Sequence, residues 1–204
     1  MTLDFAHQFV PGAEKSGRTL LLLHGTGGNE HDMLGLGRRI DPEAALLSPR
    51  GKVNENGNNR FFRRLAEGIF DEGDVVRRSH ELANFLSAAT TEYEIDTRQM
   101  VAVGYSNGAN IASAMMLLGV APFSFAILLR AMVPLTKTEL TNGNKGRVLI
   151  SEGESDPISP PAGGSDLAKL LRDTGLEVDL IVQPSGHHLI EEDIVAAQRW
   201  LKSL

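Results

Sequence analysis

Apolar positions along the chain fall into two kinds of segment. Short unbroken runs end abruptly in glycine, proline, serine or charge: "RTLLLLHGTGG", "AALLSPRG", "MVAVGYSNG", "FAILLRAM", "GRVLISEGESD" and "EVDLIVQPSGHH". Apolar runs of this length without polar alternation predict strands buried on both faces of a sheet, each ending in a loop. Between them lie segments of helical period, at 31–39, 61–69, 74–90, 107–118, 162–174 and 189–203. In the third of these, Val75, Val76, Leu82, Phe85, Leu86 and Ala89 share a face; in the last, Leu189, Ile190, Ile194, Ala197, Trp200 and Leu201 do so. Strands alternating with helices predict an α/β fold, a mostly parallel doubly wound sheet with helices on both faces. The stretch "FAHQFV" before a turn at Pro11-Gly12 is a further candidate strand, and 49–62 reads as one long polar loop rich in Gly and Asn.

The 204 residues suit one domain spanning 1–204, and 42% hydrophobic with 23% charged is the composition of an ordinary globular protein. A net charge of -6 argues against a nucleic-acid surface, since the pairs Arg38-Arg39, Arg63-Arg64 and Arg77-Arg78 are scattered among acids. The absence of cysteine excludes disulfides, a thiol nucleophile and thiolate metal sites. The N-terminal residues lack the pattern of a signal peptide and no apolar run is long enough to span a bilayer, so a cytoplasmic location is expected.

The chemistry gathers at strand ends, where ligands bind in an open parallel sheet. "GYSNG" at 104–108 follows the strand "MVAV" and opens the helix "NGANIASAMMLL", the strand-turn-helix setting in which Gly-x-Ser-x-Gly exposes a nucleophile. Ser106 needs a base to take its proton and a carboxylate to orient that base. Both follow in the order this setting requires. Asp156, before Pro157, is the preferred carboxylate over its loop neighbours Glu152 and Glu154, which read as solvated acids. His187, freed by Gly186, is the preferred base over His188, which lies nearer the start of the last helix. For an oxyanion the chain offers the backbone N–H of Asn107, at a helix N-terminus, and that of Thr26 in "HGTGGN". No Lys-Ser/Thr follows that glycine loop, which argues against a phosphate cradle. His24 reads as a hydrogen-bonded strand-end residue, His31 and Asp32 are adjacent without metal-ligand spacing, and no partner is apparent for His7 or His80.

Taken in order, "LLLHGTGGNEHDM", "LLSPRG", "VGYSNGANIA", "MVP", "GESDPISP" and "GHHL" resemble the small phospholipase/carboxylesterase branch of the α/β-hydrolase superfamily over nearly the whole chain. That branch includes acyl-protein thioesterase-like enzymes and bacterial carboxylesterases, and "GYSNGANIA" with "RAMVP" looks nearest to the bacterial carboxylesterases. The resemblance implies a serine esterase with Ser106, Asp156 and His187 as triad, Thr26 and Asn107 as oxyanion donors, and neither metal nor cofactor. The "GH" before the last helix matches the family's base position and so supports His187. Asn107 and Thr26 depart from the Gln and bulky aliphatic residue often found in the thioesterases, which weakens a protein-thioesterase reading.

The substrate expected is a small carboxylic ester, with longer acyl esters or thioesters as the alternative and a non-catalytic ligand-binding protein as the competing class. A chain this short leaves no room for a large cap. Arg50, Phe61, Arg130 and Met132 are candidate pocket walls, Arg130 as a possible partner for an acid group. The run "PFSFAILL" offers apolar surface near a sheet edge, where a homodimer could form.

Overall fold

The computed structural model describes residues 3–13, 17–66, 68–136, 140–159 and 161–204. In chain order they form β1 (His7–Val10), β2 (Thr19–Leu23), α1 (Leu34–Ile40), β3 (Ala45–Pro49), β4 (Val53–Glu55), β5 (Asn58–Arg60), β6 (Arg64–Ala66), β7 (Ile69–Phe70) and α2 (Glu72–Glu92). They continue as β8 (Met100–Tyr105), α3 (Asn107–Leu117), β9 (Phe125–Leu129), β10 (Arg147–Gly153), α4 (Pro161–Asp173), β11 (Glu177–Gln183) and α5 (Glu191–Lys202).

One seven-stranded sheet has the order β1-β3-β2-β8-β9-β10-β11. Only β1 runs antiparallel, pairing His7 with Pro49 and Val10 with Leu46; the other pairings are parallel. The unbroken apolar runs have a simple cause. In β2, Leu21 and Leu23 face a core built with α2, α3 and α4, while Leu20 and Leu22 face a second core built with α1 and α5. A strand covered on both faces has no solvent side on which to place a polar residue. The described residues form no large cap over the sheet.

Two expectations fail here. The segment 61–69 is no helix: Phe61 and Phe62 are buried anchors, and β6 and β7 follow as a hairpin whose turn includes Gly68 at φ 69°. Nor does "PFSFAILL" lie near a sheet edge. Its strand, β9, runs between β8 and β10, and Phe123 is part of the core, so most of the apolar run packs inside the molecule. The 49–62 loop is itself structured, since β4 and β5 form a hairpin turning at Asn56 and Gly57, with φ of 52° and 89°.

Candidate active site

Ser106 sits at the turn between β8 and α3 with φ 51° and ψ -114°, a backbone conformation that non-glycine residues rarely adopt. The turn is fixed on both sides, by the Ser106 N–H donating to Leu129 O (2.9 Å) and by Asn110 N–H donating to Ser106 O (3.0 Å). The two glycines of the motif are sterically required. A Cβ on Gly108 would lie 1.9 Å from Leu23 O, and one on Gly104 would lie 2.6 Å from the backbone of Ala109. The chain can make this bend against β2 only with hydrogen at those positions.

His187 reaches Ser106 from the loop after β11. Its Nε2 lies 3.0 Å from Ser106 Oγ, and its Nδ1 lies 2.7 Å from Asp156 Oδ2. In the tautomer this network selects, Nδ1–H donates to the carboxylate and Nε2 accepts from the serine hydroxyl. The buried Asp156 is itself held, its Oδ1 accepting from Ile158 N–H (2.8 Å) and Ser159 N–H (3.0 Å). The loops after β10 and β11 are stitched together by Glu154 N–H to Gln183 O (2.8 Å) and Ser155 N–H to Ser185 O (3.0 Å). The loops that carry Asp156 and His187 are thus joined by backbone hydrogen bonds as well as by the side-chain contact.

The model of the phospholipase/carboxylesterase family matches residues 6–204. The chain belongs to this family. It is 44% identical over 187 residues to the protein MhqD of Bacillus subtilis (strain 168), covering 92% of this chain and 94% of that protein. Its fold matches the crystal structure of a Bacillus cereus carboxylesterase with a TM-score of 0.93 at 43% identity, over 98% of this chain and 94% of that one. A carboxylesterase from Mesorhizobium loti matches with a TM-score of 0.92 at 31% identity, over 98% and 95% of the two chains. The protein is thus an ester hydrolase of the α/β-hydrolase fold.

In this member of the phospholipase/carboxylesterase family, the first hairpin braces the loop that carries Thr26. Arg60 Nη1 donates to Thr26 Oγ1 (2.6 Å), Gly27 N–H donates to Asn59 O (2.9 Å), and Asn59 Nδ2 donates to Gly28 O (2.9 Å). The same hairpin reaches the other residue read as an oxyanion donor: Phe61 N–H donates to the buried Asn107 Oδ1 (2.7 Å). His24 lies beneath, as a strand-end residue should. It contacts Gly25 O through Nδ1 (2.7 Å) and accepts from Gly51 N–H at Nε2 (3.0 Å), and burial lowers its pKa.

Three of the four residues expected as pocket walls are engaged within the protein. Phe61 is buried, its ring 4.7 Å from that of His24, so it packs rather than lines. Arg50 is engaged by the Glu30 carboxylate through Nε (2.5 Å) and Nη2 (2.6 Å); those hydrogen bonds hold Glu30 at about 2. Arg130 is fully buried and ion-paired with Asp193, which removes it as a partner for an acid group on a substrate. Met132 is half-buried, with its N–H donating to Asn110 Oδ1 (2.8 Å).

Glu152 also departs from its reading as a solvated loop acid. It lies on β10, completely buried, its Oε1 accepting from Ala131 N–H (3.3 Å) and its Oε2 from Ser159 Oγ (3.4 Å). Burial pushes its carboxyl up to about 8, against hydrogen bonds from Ala131 and Ser159 and the nearby Arg130 charge, which lower it. Gly186, read as freeing the backbone, has no left-handed φ, and an added Cβ would meet nothing closer than 3.8 Å. What the fold uses at that position is its carbonyl. Tyr105, inside the serine motif but given no role from sequence, donates its hydroxyl to His187 O (3.0 Å).

Proposed function

We propose that the protein hydrolyses small carboxylic esters in two steps through an acyl-enzyme on Ser106. Ser106 Oγ attacks the ester carbonyl while His187 Nε2 takes its proton, and Asp156 stabilises the imidazolium that results. The backbone N–H groups of Thr26 and Asn107 receive the oxyanion; Asn107 is the first residue of α3, where helix N–H groups lack intrahelical partners. Collapse of the tetrahedral intermediate moves the proton from His187 to the leaving alkoxide and expels the alcohol. Water, deprotonated by the same imidazole, then releases the acid and restores Ser106.

The observation that carries this reading is the continuous contact from Ser106 Oγ through His187 to Asp156, at 3.0 Å and 2.7 Å. The test is turnover of a short-chain aryl ester by the Ser106→Ala variant, expected to fall by about 10⁶. Near-parent turnover in that variant would remove Ser106 from the reaction.

A second reading, hydrolysis of longer acyl esters, draws on one observation. A groove of about 320 Å³ lined by Leu65, Ile69, Phe70, Val133 and Pro134 adjoins Met132, whose Cε lies 3.6 Å from the position of a Cβ on Gly68. If that groove takes the acyl chain, kcat/KM rises from acetyl to octanoyl esters. A decline over the same series favours the small-ester reading.

A further inference from the structure

Three consecutive carbonyls in the loop after β11 accept side-chain donors. His187 O accepts from Tyr105, as described; Gly186 O accepts from Arg130 Nε (3.0 Å) and His188 O from Arg130 Nη2 (3.0 Å). One guanidinium therefore grips the backbone on both sides of His187. The same group donates to Ser185 Oγ (2.9 Å) and Ser151 O (3.1 Å), and it meets the Asp193 carboxylate through Nη1 (3.0 Å) and Nη2 (2.8 Å).

We propose that Arg130 is a positioning residue for His187, setting the imidazole between Ser106 and Asp156 by holding the carbonyls that flank it. This rests on the reading of His187 as the base. Arg130 follows β9 with φ 56°, and its own N–H donates to Ser151 O (2.8 Å), so its backbone is anchored to β10. Asp193 anchors the far side: Oδ1 accepts from Ser151 Oγ (2.6 Å) and Oδ2 from Ile190 N–H (2.9 Å) at the start of α5. The base loop is thus tied to β10 and α5 through a planar fork. Lysine, a point charge with three donors, cannot span two carbonyls and a carboxylate in one plane.

Arg130→Lys keeps a positive charge opposite Asp193 while losing the fork, and Arg130→Gln/Asp193→Asn removes both charges together. With p-nitrophenyl acetate, Arg130→Lys is expected to lower kcat by about 10²-fold while KM changes less than about threefold, the signature of a displaced reacting group. The far-downfield proton resonance of the His187–Asp156 hydrogen bond should broaden or vanish in the folded variant, and the double variant should behave likewise. Parent-like kcat, a loss confined to KM, or an unchanged resonance in Arg130→Lys overturns the proposal. So does failure of both variants to fold, which would make Arg130 a determinant of folding. A His187→Ala control separates the two claims. If it retains parent turnover, the reading of His187 as the base fails; if it is inactive while Arg130→Lys is normal, only the positioning role fails.

Discussion

Beneath the loop that carries His187, the Arg130–Asp193 pair is buried and engaged, whereas the second hairpin places its charged groups in solvent. The Arg130–Asp193 side chains are 0% and 1% exposed, and several neutral groups share the pair. In the second hairpin Arg63 and Arg64 are 58% and 45% exposed, while Leu65 stands 71% exposed beside them. A buried ion pair gains little net stability over an apolar replacement but is costly to break, while an exposed one contributes little in either respect. The difference teaches where the fold invests in geometry: at the loop whose imidazole must meet two partners at once.

Breaking the buried side should therefore have the largest effect. Asp193→Ala leaves the Arg130 guanidinium buried without its counter-charge and is expected to destabilise the protein by about 3–5 kcal/mol in urea unfolding. A loss under about 1 kcal/mol would mean that water reaches the pair and that the two sides do not differ as described.

Glu152 sharpens the comparison through pH. Its folded pKa of about 8 lies above its ordinary 4.5, so between those values the unfolded chain holds fewer protons than the folded one. Its contribution to stability is complete below about pH 4.5, declines as pH rises toward 8, and levels off above that. Glu152→Gln removes the decline, at most about 1.4 kcal/mol per pH unit. The Tm difference between variant and parent should thus move in favour of the variant from pH 5 to pH 8. A difference flat across that range would place an ionised carboxylate at Glu152 throughout.

Asn107→Ala, which takes the acceptor from the Phe61 N–H, is expected to cost about 1–3 kcal/mol by urea unfolding. An effect near zero would mean that the link between hairpin and elbow is replaced by solvent. Arg64→Ala on the exposed hairpin should stay within about 0.5 kcal/mol of the parent. A larger loss would show that the hairpin is held by its charges.

Much of this was legible in the sequence for a physical reason. Burial on both faces writes a strand as an unbroken apolar run, as in β2, β3, β8, β9 and β10, whereas the run at 177–183 forms β11, an edge strand that is only half-buried; the serine motif between β8 and α3 marked the turn at Ser106. The hairpin at 53–60 was also written there. Asn56-Gly57, with both φ positive, is the strongest short hairpin signal, yet the segment reads as loop because its flanks are polar. Phe61, Phe62, Leu65 and Ile69 imitate a helical face, but the phenylalanines are anchors of an irregular turn. Arg130 and Glu152 were misread because their burial depends on distant partners: Asp193 follows Arg130 by 63 positions, and Ala131 and Ser159 meet Glu152 only when β9 and β10 pair. No local pattern carries that information.

Activation of Ser106 by His187 and Asp156 can be read by covalent labelling with a fluorophosphonate, followed by mass spectrometry of the intact and digested protein. A single adduct is expected on the peptide containing Ser106, absent in Ser106→Ala and formed far more slowly in His187→Ala. An adduct on another residue, or labelling of Ser106 at the parent rate without His187, would contradict this activation.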